Sequence, residues 1–403
     1  MKTSSLKLIA LSIGLAFSLG AAAETMSKDD YKAGEAKILD ADRLIVSVGR
    51  IPNTDGLNAE VINLRLDERG RIDVDSHCRT NLTGIWAVGD ATASTHAITG
   101  AVAPVALATP ANRGGRVAAD SIAGGGGRRS PRPLGTAVVR VFDLTIAMTG
   151  ASRRSLGDRP FHTVRVHAGH HAGYYPGAET MHLLLHFDGE GRILGAQGVG
   201  REGVDKRIDV IATVARGGLR VDDLVDLDLS YAPPFGAAKD PVMMLGMIAD
   251  NVLSGRLTQH DPVGPLDPET TLVLDVRNPG EWDRGHIEGA MLVPQPDVAA
   301  SIEEIRRAAA GRPIVVHCAS GFRSYLANRT LAGAGIDSAN VSGGFTTLAI
   351  AQPQLVAYPQ TSPASATTSG TTVSSTNAGR NANPSGSTIL TPSLAAASSF
   401  SCS

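Results

Sequence analysis

At 403 residues the chain exceeds one ordinary hydrophobic core, and its length implies two or three domains. Aromatic residues make up only 4% while Gly 45 and Pro 22 are plentiful, so packing rests on Val, Ile, Leu and Ala with many turns, as in α/β and α+β proteins. A formal net charge of -2, from 37 basic and 39 acidic side chains, supplies no bulk field for nucleic acid or an anionic membrane and leaves small-molecule chemistry as the expected task.

The chain opens with a Lys-bearing start, the apolar run LIALSIGLAFSLG and Ala21, Ala22 and Ala23 before Glu24. That pattern predicts a signal peptide over residues 1–23 and export to the periplasm or medium; a cytoplasmic location is the alternative if this start is an artefact. No later stretch offers about 18 unbroken apolar residues, so no membrane span is expected. Cys78, Cys318 and Cys402 are the whole cysteine complement, too few for a disulfide framework and more typical of a reducing compartment.

Residues 24–40 read as a polar linker. LIVSV, Leu44 to Val48, reads as a strand stopped by Gly49 and Pro52; RGRIDVD and GIWAVGD read as further strands, and PVALATPANRGGRVAADSIAG as a small-residue helix. GGGGRRSPRP marks a boundary. Over 134–256, TAVVRVFDL, FHTVRVHAG and MHLLLHFDGEGRILGAQ predict strands, with DGEG turning an antiparallel hairpin, before helices in KRIDVIATVARGG and DPVMMLGMIADNVLSG. Residues 262–352 alternate strands TLVLDVR and PIVVHCAS with helices EEIRRAAAG and SYLANRTLAGAG, the rhythm of a small parallel α/β domain. Residues 353–403 are Ser, Thr, Ala, Asn and Pro without period and predict a disordered tail holding Cys402.

VVHCASGFRS, residues 315–324, concentrates the chemistry. A thiol here could close a disulfide, bind a metal, attack a phosphate ester or carry sulfur. Cys318 lies between a strand and a helix starting near Phe322, where free backbone N–H groups and the helix dipole favour negative charge. Gly321 permits the turn and Arg323 adds a cation with paired donors; Ala319, Ser320, Phe322 and Ser324 complete the loop.

Five motifs together resemble the rhodanese family: Asp275 and Arg277 in LDVR, Glu281 and Trp282 in GEW, HIEGA, the C-x-x-G-x-R loop, and SGGF at Gly343 to Phe345. The resemblance implies that Cys318 takes a sulfane sulfur from thiosulfate, a polysulfide or a persulfide, holds it as Cys318-SSH, and yields it to a thiol or cyanide-like acceptor without a cofactor. The six residues from Cys318 to Arg323 match sulfurtransferases of the family, whereas related phosphatases carry one more. Asp275 and Arg277 are expected to brace the loop as a buried pair.

Residues 41–256 resemble the carboxyl-terminal half of pyridine nucleotide-disulfide oxidoreductases of the coenzyme A disulfide reductase group. RTNLTGIWAVGDAT looks like the second FAD fingerprint, which would set Gly89 and Asp90 against the flavin's ribityl and phosphate region and Ala106, Leu107 and Ala108 near its rings. Residues 134–256 resemble the dimerisation domain, implying a homodimer in which Tyr175 and Tyr231 reach the partner's thiol site. Residues 1–43 show neither G-x-G-x-x-G turn nor redox cysteine, so the amino-terminal nucleotide-binding half is expected to be missing and FAD not retained. GVGREG, Gly198 to Gly203, follows an antiparallel hairpin and reads as a packing turn. His167, His170, His171, His182 and His186 lack standard metal spacing and read as strand-face histidines, so no metal is assigned.

The expected protein is thus a sulfurtransferase fused to a truncated flavoprotein. A full FAD- and NAD(P)H-dependent CoA-disulfide or persulfide reductase, or a non-catalytic dimerising remnant, are the alternatives.

Overall fold

The computed structural model describes residues 49–358, apart from residues 104 and 126. The leader, the linker, the strand Leu44 to Val48 and the tail from residue 359 with Cys402 lie outside the described residues. The chain forms two compact units that divide between Gln259 and His260.

The first unit begins with sparse structure. β1 (Ser94–Thr95) pairs antiparallel with β2 (Val102–Ala103), and α1 spans Ala108–Ile122. RGRIDVD and GIWAVGD do not become strands; Ile72 and Trp86 make only isolated bridges, to Leu66 and Thr92 and to Arg79. Alternation supplies the side-chain pattern, but a strand exists only where a neighbour completes its ladder. Ile51 and Val61 stand 91% and 80% exposed among the described residues. α1 starts four residues later than its composition suggests, because Leu107 is extended.

The dimerisation-type sheet has the order β3-β4-β7-β6-β5 and is antiparallel throughout. Its strands are β3 (Ala137–Val141), β4 (Leu144–Gly150), β5 (His162–Gly169), β6 (Thr180–Phe187) and β7 (Ile193–Gly200), with a short α2 (Arg153–Leu156) after β4. TAVVRVFDL, expected as one strand, folds back at Phe142, which adopts φ 53 without help from glycine or proline. DGEG does turn β6 into β7, with Asp188 Oδ1 accepting from the N–H groups of Glu190 and Arg192, each at 3.0 Å. Alternate residues Met181, Leu183, Leu185 and Phe187 bury one face against α3 (Val204–Gly217) and α4 (Pro241–Leu253). In GVGREG, a Cβ on Gly198 would come within 2.7 Å of both Leu183 and Val204, so packing accounts for that glycine.

Arg207 on α3 is the largest fully buried side chain of the described residues. It donates from Nη2 to Asp240 Oδ2 at 2.8 Å and to the His170 carbonyl at 2.8 Å, and from Nη1 to the Gly203 carbonyl at 3.2 Å. Asp240 also caps α4 through Val242 N–H at 3.0 Å. One pair therefore fixes the His170 loop and the starts of both helices.

The second unit carries a sheet of order β11-β9-β12-β13-β8. It comprises β8 (Gln259–His260), which straddles the unit boundary, β9 (Leu272–Asp275), β11 (Met291–Leu292), β12 (Ile314–His317) and β13 (Ala339–Val341). β9 pairs parallel with β11 and β12, and β12 with β13. α5 (Pro279–Trp282), α6 (Ile302–Ala309), α7 (Phe322–Gly333) and α8 (Gly344–Ala351) complete the expected parallel α/β domain. The tail does not begin at 353: Pro353–Leu355 form a 3-10 turn, and β14 (Val356–Ala357) pairs antiparallel with β10 (His286–Ile287). Backbone pairing, including Glu288 N–H to the Leu355 carbonyl at 2.8 Å, holds this segment despite its unpatterned sequence.

Replacing Arg207 by Met leaves the Asp240 carboxylate buried without its counter-charge, and should cost about 3–5 kcal/mol. Urea unfolding of the full chain, followed for the first unit, checks this.

Candidate active site

Cys318 follows β12 directly, and Gly321, at φ 106, is the N-cap of α7. Few residues other than glycine tolerate that conformation, so Gly321 sets the turn. The Cys318 side chain is buried at 1% exposure. Its Sγ accepts from Gly321 N–H at 3.1 Å and from the Ser324 hydroxyl at 3.4 Å.

The loop's carbonyls face the other way. Phe345 N–H donates to the Cys318 carbonyl at 2.7 Å and Thr346 N–H to the Ala319 carbonyl at 3.0 Å, so α8 uses its unpaired first-turn donors on the loop. A Cβ on Gly344, which has φ 60, would lie 2.6 Å from the Cys318 oxygen. SGGF is thus a site of close backbone approach. Asn340 Nδ2 adds a bond to the Gly321 carbonyl at 3.2 Å.

Asp275 and Arg277 form the expected buried pair, with Arg277 Nη2 donating to Asp275 Oδ2 at 2.6 Å. Their bracing is indirect. Arg277 Nη2 also donates to the Gly285 carbonyl at 2.9 Å, and its guanidinium lies 3.9 Å from the centre of the Phe345 ring, the residue whose N–H holds the Cys318 carbonyl. Fully buried His317 stacks near Phe345 with ring centres 5.8 Å apart, and desolvation pushes its pKa down, favouring the neutral ring.

Arg323 reaches the loop already paired. Its Nη1 and Nη2 donate to Glu281 Oε2 and Oε1, both at 2.7 Å, and Glu281 Oε2 also accepts from Asn278 N–H at 3.0 Å. The paired bonds to Arg323 hold the Glu281 carboxyl down to about 2, and the same bonds raise Arg323. Glu281 was visible only as part of a motif. N-P-x-E is a capping signature, but its partner 42 residues away has no local trace.

The flavin-type residues gather at the start of α1. Gly89 has φ 86, and a Cβ there would sit 4.0 Å from Ala111 in the first helical turn. Asp90 is exposed and paired with Arg50 at 3.1 Å. Leu107 caps α1 without a side-chain bond, and no acidic residue occupies the first turn. Open helix N–H groups beside Ala106 to Ala108, with a nearby carboxylate acceptor, fit the phosphate and polyol portions of a flavin nucleotide.

Tyr231 meets Tyr174 rather than Tyr175: the two hydroxyls lie 3.2 Å apart, and this bond raises the Tyr231 phenol. Tyr175 instead sets its edge against His171 at 5.5 Å. His167 and His182 face each other across β5 and β6 with Nδ1 atoms 2.7 Å apart. Among the described residues, no three His, Cys, Asp or Glu side chains converge on a common point. Cys78 is buried with Sγ 3.6 Å from the Gly114 carbonyl, and desolvation raises its thiol.

A small parallel domain with a cysteine at the strand-to-helix loop, preceded by an antiparallel five-stranded unit, defines a multidomain α/β protein. The chain matches the family models for pyridine nucleotide-disulphide oxidoreductase over residues 7–111, its dimerisation domain over 136–241 and the rhodanese-like domain over 263–350. A coenzyme A disulfide reductase of Staphylococcus haemolyticus is 38% identical over 208 residues, 51% of this chain and 47% of that protein. The chain thus spans about half the length of the curated relatives it matches. The crystal structure of reduced Bacillus anthracis CoADR-RHD matches with TM-score 0.76 at 38% identity, over 80% of this chain and 58% of that one. An NAD-dependent persulfide reductase from A. fulgidus matches with TM-score 0.68 at 34% identity, over 77% and 56%.

The oxidoreductase match starts at residue 7 and runs through the stretch read as leader and linker. It removes the support for a missing amino-terminal half and for a signal peptide. A composition scan for a charged start and an apolar run cannot distinguish a leader from the apolar segment of such a domain.

Gly344→Ala should displace the Cys318 carbonyl and slow sulfur loading about 100-fold with the fold retained, as read by circular dichroism and single-turnover kinetics. Glu281, depressed when folded, contributes stability above the ordinary carboxylate range, and that contribution fades as pH falls toward about 2. The stability gap between the native chain and Glu281→Gln should therefore be larger at about pH 6 than at about pH 3 in urea unfolding.

Proposed function

We propose that the chain is a flavin-dependent, NAD(P)H-linked disulfide or persulfide reductase whose rhodanese-like domain carries sulfane sulfur as a Cys318 persulfide. The carrying observation is the loop itself: a buried Sγ that accepts Gly321 N–H and the Ser324 hydroxyl while the Cys318 and Ala319 carbonyls are turned toward α8. The oxidoreductase match from residue 7 and the persulfide- and disulfide-reductase relatives support the reductase part.

In the loading step the Cys318 thiolate attacks the outer sulfur of a persulfide R–S–SH. The R–S–S bond breaks, R–S⁻ leaves with its electron pair, and Cys318–S–SH forms. In the unloading step an acceptor thiolate attacks the outer sulfur and Cys318 leaves as thiolate, with Gly321 N–H and the Ser324 hydroxyl donating to its sulfur in both directions. FAD, held at Gly89, Asp90 and the α1 start, would supply the passage of electrons from NAD(P)H to the sulfur substrate. Tyr174 and Tyr231, exposed and hydrogen-bonded, are the groups this reading assigns to the partner subunit's thiol site in a homodimer.

Full chain treated with glutathione persulfide should gain one sulfur atom on the Cys318 peptide by mass spectrometry, and Cys318→Ser should gain none. The purified protein should also show a flavin absorbance spectrum and oxidise NADH or NADPH when persulfide is added. Colourless protein that still loads Cys318 would remove the reductase part and leave the carrier.

A further inference from the structure

The loop offers a dianion little. Ala319, Ser320, Gly321 and Phe322 carry no charge, and Phe322 stands 60% exposed beside the buried thiol. The one cation within the loop, Arg323, spends both terminal nitrogens on Glu281 at 2.7 Å each, and its only other charge-related contact is with the Cys318 side chain. Glu281 is itself locked by Asn278 N–H at 3.0 Å, and its carboxyl is held down to about 2, so the pair stays ionised at neutral pH. The neighbouring Arg277 is likewise committed to Asp275.

From this geometry we infer that Glu281 is a specificity-determining residue: by neutralising Arg323 it sets the loop to load from an organic persulfide rather than from thiosulfate. The inference rests on Cys318 being the sulfur carrier. Thiosulfate brings two negative charges toward a thiolate, and the sulfite it expels carries the same two away past the loop. An unpaired guanidinium would offset that charge, and here it is already offset. An organic persulfide brings at most one charge on its reacting sulfurs, any carboxylates of its carbon chain lying several bonds away, together with a thiol leaving group, and that chain can lie against Phe322.

The test loads full-length protein in single turnover with thiosulfate and, separately, with glutathione persulfide, reading sulfur on Cys318 by mass spectrometry. The native chain should load faster from the organic persulfide. Glu281→Gln should raise the thiosulfate-to-persulfide rate ratio about tenfold, since it frees a charged hydrogen-bonding group. Arg323→Lys, which keeps the cation but cannot make the paired bonds, should raise the ratio in the same direction and covers the case in which Glu281→Gln fails to fold. The ratio is read from variants that still load glutathione persulfide at close to the native rate, so that loss of fold does not enter it. Equal loading by thiosulfate in the native chain, or a ratio unchanged in the variants, would overturn the inference. Absence of loading by either donor would instead overturn the carrier reading beneath it.

Discussion

The orientation of three peptide groups governs the second unit. Because Phe345 and Thr346 N–H take the carbonyls of Cys318 and Ala319, the adjoining amides turn inward, and Gly321 N–H reaches the sulfur. This is possible only where α8 can approach the loop within a few ångströms, which a side chain at Gly344 would prevent. The buried Asp275–Arg277 pair and His317 both pack against Phe345. A buried ion pair adds little net stability, but here it fixes the residue that fixes the loop.

The first unit applies the same device to a different end. Arg207 and Asp240 are buried together on α3 and at the start of α4, and their remaining donors and acceptors hold the His170 and Gly203 backbone. The loops that present Tyr174 and Tyr231 extend from this clamp, since Ala172 N–H bonds the Gly236 carbonyl at 2.8 Å. An exposed hydroxyl pair can keep a defined geometry only if the backbone on both sides is fixed, and the clamp fixes it.

Local spacing carried much of this architecture. The alternation in FHTVRVHAG and MHLLLHF revealed the central hairpin strands, and C-x-x-G-x-R revealed the loop, because each pattern is complete within a few residues. What local spacing could not show was supplied by remote segments: Glu281 opposite Arg323, Gly344 against Cys318, and Tyr174 beside Tyr231. The turn at Phe142 also escaped, since a bulky residue at positive φ leaves no glycine or proline mark. RGRIDVD and GIWAVGD failed for the opposite reason: their alternation is sound, but strand pairing is a property of neighbours and not of a segment.

These two kinds of charge pairing divide the labour of the sulfur loop. Asp275 and Arg277, at 0% and 4% side-chain exposure, are shut off from solvent and hold Phe345 and the Gly285 and Glu281 carbonyls. Glu281 and Arg323 keep 22% and 30% of their side chains in contact with solvent, so their pairing stands in competition with any anion that arrives. The thiol's immediate surroundings are set by the Gly321 amide, the Ser324 hydroxyl and the Arg323 side chain. The charge presented to an incoming sulfur donor is set by a half-open pair. On the reading proposed for this loop, the nucleophile's contacts stay fixed while a single carboxylate outside the loop tunes the charge that a donor meets.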